Sequence, residues 1–257
     1  MNKYEIIRRI EEFAPPELAE SWDCSGWLIE TDKQNVRKIM LCLTVTDDVI
    51  KQAKNQNCDM IISHHPLFYI PLTFSSPLAG EGVQRTGEGL IDIYCAHTNL
   101  DRTRGGTTDI LIDTLGLSDC VICEAAEPMH YDCEERSCKA IRPFVRYANC
   151  NIEINKFISK LRTISPNLRY VNNYDVSELK KIAFCAGSGA EFIKEACENG
   201  ADALVTGDIK FHTALESPIV LFDIGHFESE ILILSVFEKL LDGVETVLAN
   251  ENSPFKY

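Results

Sequence analysis

The sequence predicts an α/β protein built from two similar α/β/α lobes, products of an internal βαβ duplication, with a metal site at the lobe interface. Three observations lead there: a strand-helix-strand pattern that occurs twice, a His64-His65 pair closing an apolar run, and a His-x-x-x-carboxylate spacing after a strand in each copy. The segment from Lys38 to Phe68 aligns without a gap to Lys181 to Phe211 at an offset of 143, with eight of 31 positions identical. The identities include Lys38/Lys181, Cys42/Cys185, Ala53/Ala196 and Asp59/Asp202, and most other positions keep their apolar or polar character. Each copy reads as an apolar strand, a turn, an amphipathic helix and a second apolar strand.

The elements follow in chain order. Tyr4 to Phe13 has the period of an amphipathic helix, with Ile6, Ile7 and Ile10 on one side and Glu5, Arg8, Arg9 and Glu12 on the other, and Pro15-Pro16 ends it. Pro71 to Gly89 reads as a long loop suited to a lid or an oligomer contact. Between the repeats, an edge strand is expected around Ala140 to Val145 and a helix over Ile154 to Ile164; after them, a helix over Ser229 to Leu241. The expected division is residues 1–125 with 226–257 as one lobe and 126–225 as the other, closely joined.

Successive strand residues face opposite sides, so two adjacent imidazoles at His64-His65 imply that the chain leaves strand geometry there, with Pro66 stiffening the turn. In the repeat this pair stands opposite Gly207-Asp208. The next apolar run of the first copy delivers His97 and Asp101, and that of the second delivers His226 and Glu230. A spacing of four on a helix puts Glu230 on the same side as His226. Ligands of open α/β sheets bind beyond the carboxyl ends of the strands, where all these polar turns lie. Converging, His64, His65, Asp101, His226 and Glu230 offer three imidazoles and two carboxylates. That is too many for one tetrahedral zinc and suits two divalent ions, one carboxylate bridging them. Mixed imidazole and carboxylate ligation accepts zinc, manganese, iron, cobalt or nickel. His97 is assigned to the outer shell that orients the ligands. His97, Asp208 and His212 are candidates for moving protons, His212 also for touching substrate, with an inert loop histidine as its alternative. His130 stands outside every strand-end turn and reads as a surface residue.

Composition sets the remaining bounds. No run approaches the roughly 20 apolar residues of a membrane span, and the start lacks a signal-peptide pattern, so a soluble cytoplasmic protein is expected. A formal net charge of −14 argues against a nucleic-acid backbone as the main partner. Arg102 and Arg104 either hold a phosphate or lie in a solvated loop. Of eleven cysteines, Cys42, Cys58, Cys95, Cys185 and Cys197 lie in apolar segments and read as reduced, buried thiols. Cys120, Cys123, Cys133 and Cys138 have a spacing open to a structural zinc knot, although the loop between the pairs is short.

Several motifs together carry a family resemblance: Ala14 to Ala19 with Trp22-Asp23 and Gly26, Ser63-His64-His65-Pro66, His97-Thr98-Asn99-Leu100-Asp101, Thr206 to His212, Gly225 to Glu230 and Ser253 to Tyr257. On these the chain resembles the Nif-three-like dinuclear-metal family, also known as GTP cyclohydrolase type 2 homologues. The resemblance implies a pair of α/β lobes, a two-metal site carried on His64, His65, Asp101, His226 and Glu230, and a toroidal homohexamer. Cys24 and Thr107-Thr108 depart from the family pattern without removing a ligand. The expected function is a metal-dependent hydrolase that uses a metal-activated water, with a small-molecule substrate such as a nucleotide. A phosphoesterase and a non-catalytic metal-binding scaffold or regulatory protein are the alternatives.

Overall fold

Lys38–Thr44 is a strand whose five inner residues are all buried, the mark of a strand covered on both faces. It is β2 of the computed structural model, which describes residues 1–66, 91–117 and 143–256 together with the strand backbones at 121–124, 129–132 and 137–140. These residues form two compact units, Met1–Thr103 with Ile233–Asn252, and Arg104–Leu232 with Ser253–Tyr257. The sequence reading put the junctions near 125 and 226. The helix His226–Glu230 counts with the second unit because it packs on that unit's sheet.

In the first unit, β2 lies beside β3 (Met60–His65), β3 beside β4 (Asp92–Cys95) and β4 beside β1 (Gly26–Ile29), while β13 (Glu245–Leu248) closes the other edge. All pairings are parallel except the antiparallel β1. The helix Lys3–Phe13 begins at Asn2, whose side chain accepts from the Tyr4 amide at 2.9 Å, and buries Ile6, Ile7 and Ile10 as its periodicity predicts. The β2 to β3 crossover is the helix Asp47–Asn55. It is capped by Thr46 and carries Asp47 and Asp48 in its first turn and Lys54 in its last, the polarity that suits a helix dipole. Its Val49 and Ala53 pack on Met40, Cys42, Ile61 and Ile93.

The second unit holds a six-stranded sheet in the order β5 (Val121–Glu124), β8 (Arg146–Glu153), β10 (Glu178–Ser188), β11 (Ala203–Gly207), β12 (Val220–Asp223) and β9 (Arg169–Val171). A separate hairpin joins β6 (Met129–Asp132) to β7 (Ser137–Ala140). The run β10-β11-β12 is parallel, and β8 and β9 flank it antiparallel. Strand alternation sends Phe184 and Phe222 to a core with Phe157, and Cys185 and Leu221 to the opposite core with Tyr147 and Ala196.

Taken separately, the two units repeat several local details at the aligned positions. The Asp59 amide donates to Lys38 O, and the Asp202 amide to Lys181 O, both at 2.8 Å. Cys58 bonds Ala53 O and Ala201 bonds Ala196 O, both at 2.9 Å. Asn57 and Gly200 both take a left-handed φ, 56° and 73°. Ala96 N reaches Ser63 O at 3.0 Å, and Ile224 N reaches Thr206 O at 2.9 Å.

Some expectations shift. The helix placed over Ser229 to Leu241 is three short pieces, His226–Glu230, a 3₁₀ turn at Ile231–Ile233 and Leu234–Leu240, because the chain passes from one unit to the other at Leu232 and Ile233. The helix at Ile154 stops at Leu161, three residues short, ahead of Ser165-Pro166, where the proline disfavours helical geometry in the residue before it. Of the edge strand expected around 140–145, Ala140 is the last residue of β7 and residues 141–142 lie outside the described residues; β8 starts at Arg146 and lies inside the sheet between β5 and β10. Pro143, with no amide hydrogen to offer a ladder, stands between them. Cys42, Cys58, Cys95 and Cys185 are buried, but Cys197 is exposed, because its helix turns Ile193 and Ala196 inward. The loop from Pro71 to Gly89 lies outside the described residues, as do the side chains of His130, Cys123 and Cys138 and the whole of Cys120 and Cys133. No helix among the described residues is long and apolar enough to cross a membrane.

Candidate metal centre

In the first unit the strand β3 runs through His65 instead of ending before the histidine pair, with Thr44 of β2 paired to His65. Both histidines are buried and their ring centroids lie 4.9 Å apart. His64 Nδ1 lies 3.0 Å from Ala96 O, and a carbonyl only accepts, so this nitrogen carries the proton. Its Nε2 faces Asp101 Oδ1 at 3.5 Å. His65 Nδ1 meets Thr44 Oγ1 at 2.8 Å. Thr44 is itself held, since Glu251 accepts from the amides of Leu43 and Thr44 at 2.7 and 3.0 Å.

His97 joins the same cluster. One donor atom from each of His64, His65 and His97 lies within 4.8 Å of the others. Its Nδ1 is fixed on Asp23 Oδ1 at 2.8 Å. Asp23 also accepts from the Cys24 amide at 2.7 Å, Ser25 Oγ at 2.6 Å and the Thr98 amide at 3.1 Å. Burial pushes the Asp23 carboxyl up, but the hydrogen bonds from His97, Ser25 and Thr98 outweigh it and hold the group well below the usual carboxylate range. Arg102, one residue past Asp101, is engaged by Glu20.

In the second unit β11 ends at Gly207, and the next residue, Asp208, has φ 59°. Aspartate is one of the few side chains that tolerate this left-handed turn, and here its Oδ2 lies 2.7 Å from His226 Nδ1. His226 opens the helix that ends at Glu230, and Nε2 faces Glu230 Oε2 at 3.0 Å, the contact expected of a spacing of four. Burial lowers the His226 pKa, but Glu230 and Asp208 together overcome that and raise it to about 9. A pocket that holds a proton so firmly on an imidazole is one in which two carboxylates favour positive charge. Gly187, at φ 68°, leaves room for it: a Cβ there would stand 2.1 Å from Glu230 Oε1 and 3.5 Å from His226 Nε2. Ser229 Oγ accepts from the Gly187 amide at 2.9 Å and donates to His226 O at 2.8 Å.

The sequence-predicted residues thus sort by unit. His64, His65, His97 and Asp101 come together in one, His226, Glu230 and Asp208 in the other. Among the described residues His212 belongs to no cluster of potential ligands; it is exposed, its ring 5.3 Å from Phe211. The supporting residues Asp23, Thr44, Glu251, Gly187 and Ser229 were not assigned from the sequence. The repeat held one available signal: Thr44 and Gly187 occupy matched positions at the offset of 143.

Residues 1–254 match the family model described as Duf34/NIF3 (NGG1p interacting factor 3). The chain belongs to the Duf34/NIF3 family. Among its relatives, a GTP cyclohydrolase 1 type 2 homolog of Clostridium perfringens is 34% identical over the full length of both chains. Another, from Clostridium acetobutylicum, is 30% identical over 98% of this chain and 97% of the relative. Of solved structures, the Staphylococcus aureus hypothetical protein SA1388 matches with a TM-score of 0.82 at 23% identity, over 100% of this chain and 99% of that one, a likeness of fold. These Duf34/NIF3 comparisons accord with a mixed α/β fold containing two sheets and with a His and carboxylate group able to hold metal.

Proposed function

We propose that this Duf34/NIF3 protein is a dinuclear metal-dependent hydrolase, its site formed by His64, His65 and Asp101 from one unit and His226 and Glu230 from the other. One observation carries the reading. All four imidazoles are anchored through Nδ1, on Ala96 O, Thr44 Oγ1, Asp23 Oδ1 and Asp208 Oδ2, so the nitrogen each one presents is Nε2. Fixing one ring nitrogen on a carbonyl, hydroxyl or carboxylate is how proteins orient metal-binding histidines. In two of the four, Nε2 already faces a carboxylate, as in a site shared by imidazole and carboxylate ligands. The matched backbone details of the two units support an origin by internal duplication, with Asp101 and Glu230 as counterparts.

Divalent ions held there would supply Lewis acidity and an acidified water; one zinc alone takes the pKa of water from 15.7 to about 7. The protein's own part is to orient and to move protons. Asp23 keeps His97 aimed at the cluster with its Nδ1 occupied, which suits Nε2 to exchange a proton with substrate. Asp208 orients His226. The relatives' name brings a purine nucleotide forward as substrate, and phosphoester hydrolysis would draw on the same nucleophile. A ring of six copies is the proposed assembly.

The decisive experiment combines metal analysis of protein purified without an affinity tag with a turnover screen against nucleotides and phosphoesters. Stoichiometric metal with turnover, both lost in Glu230→Ala, is the expected result. Bound metal without turnover on any substrate would replace the hydrolase with a metal-binding scaffold. Absence of metal from the wild-type protein, even after incubation with zinc, manganese or iron, would end the proposal.

A further inference from the structure

The second unit carries a cavity of about 190 Å³ that the chemistry above leaves unused, lined by Arg169, Val171, Ile209, Phe211, Leu221 and Asp223 among others. Its construction follows from the sheet. Arg169 pairs with Asp223, and Val171 with Leu221, across β9 and β12, so these four side chains share one face. Tyr170 also borders the cavity, but strand alternation turns its side chain to the other face, its ring 6.1 Å from Phe222. Val171 and Leu221 make an aliphatic floor, and the Asp208-Ile209 turn with the helix Phe211–Leu215 makes the wall. Phe211 is 74% exposed, a large aromatic face left open to solvent.

One end of the slot is polar and built. Asp223 is 7% exposed, and it accepts from the Gly225 amide at 3.2 Å, from the Ile209 amide at 3.3 Å and from the Arg169 guanidinium. This contact holds one guanidinium nitrogen of Arg169, whose side chain is 70% exposed, at the rim and leaves its other N–H groups as donors. The cavity is smaller than the roughly 300–1,000 Å³ of a pocket for a whole drug-sized ligand, so it fits one ring system. It is also tied by the chain to the histidine cluster of its unit. Ile209 follows Asp208, the residue that orients His226, and Asp223 stands three residues before His226.

We infer that this slot seats a flat, hydrogen-bonding heteroaromatic ring of the nucleobase type, stacked on Phe211 with its polar edge at Arg169. An aromatic face and an aliphatic floor accept any flat ring, while the guanidinium selects one that presents acceptors at its edge. The inference deepens the hydrolase reading by adding a separate slot for the ring of its proposed nucleotide substrate, and it rests on that reading only for what happens to the bound ligand.

The test is calorimetric titration of the full chain, stripped of metal by a chelator, with guanosine, adenosine and uridine, and with ribose 5-phosphate as a ring-free control. Nucleosides are expected to bind the stripped protein and ribose 5-phosphate not to bind. Phe211→Ala should weaken nucleoside binding about tenfold or more, and Phe211→Tyr should retain it. Because Phe211 is exposed, both variants should fold, which circular dichroism checks. Failure of every nucleoside to bind the wild-type protein overturns the inference, as does equal affinity in Phe211→Ala. So does an oligomer that falls apart in Phe211→Ala with nucleoside binding unchanged, because the patch is then a contact between copies. Nucleoside binding without turnover would support the slot while sinking the hydrolase, so the two failures are separable.

Discussion

Replacing Gly187 by alanine is the sharpest probe of the second cluster. Two effects arise, and the structure separates them. At φ 68° an alanine pays the left-handed penalty, about 1–2 kcal/mol. Its Cβ would also stand 2.1 Å from Glu230 Oε1, where a comfortable contact is about 3.5 Å, so the carboxylate must retreat by roughly 1.4 Å. Glu230 is 4% exposed and cannot swing freely into solvent. A shift of that size breaks its 3.0 Å approach to His226 Nε2. Gly200→Ala supplies the control: φ is 73°, but nothing lies within 4 Å of the added carbon. Both variants should lose about 2–8 °C in Tm, from that penalty at roughly 2–4 °C per kcal/mol. Only Gly187→Ala should bind zinc at least tenfold more weakly, read by competition against a chromogenic chelator. Equal zinc affinity in the two variants would refute the assignment of Glu230 as a ligand held in place by the glycine.

Three further outcomes are expected. Thr44→Val removes the hydroxyl that meets His65 Nδ1 at 2.8 Å, and metal affinity should fall about 10–100-fold in the same competition assay, with Thr44→Ser restoring it. Chelation of bound metal should lower the Tm, because a ligand that binds only the folded state at 100 times its Kd stabilises by about 2.7 kcal/mol; an unchanged melt would show that no ion was held. For pH, burial raises the Asp59 carboxyl but the Arg37 amide and guanidinium outweigh it, so its folded pKa lies below the unfolded value of about 3.9. Its stabilisation is present above that value and is lost as pH falls through the folded pKa; Tm measured from pH 7 to 3 should therefore drop less steeply in Asp59→Asn.

What the sequence disclosed was whatever is encoded locally. The apolar runs that begin at Lys38 and Met60 and the capped helix between them are short-range patterns, and each formed as read except that the second strand continues through His64 and His65, where a turn was expected. The spacing of four between His226 and Glu230 is a property of one helical turn, so their meeting was legible as well. The supporting contacts were not, because they join residues far apart in the chain. Asp23 reaches His97 across 74 positions, and Glu251 reaches Thr44 across 207. No periodicity marks such partners, and a glycine at 187 looks like any turn until the carboxylate it accommodates is seen. The broken helix after Glu230 has a similar cause: the apolar spacing continues through Leu241, while the chain itself changes unit at Leu232.

The inner nitrogen of every ring in the two clusters is already spoken for by a neighbour. Rotational freedom of those rings is therefore surrendered while the polypeptide folds, ahead of any cation's arrival, and capture need not organise them afterwards. Loading should then be governed by access, with apoprotein and loaded protein sharing nearly the same imidazole positions.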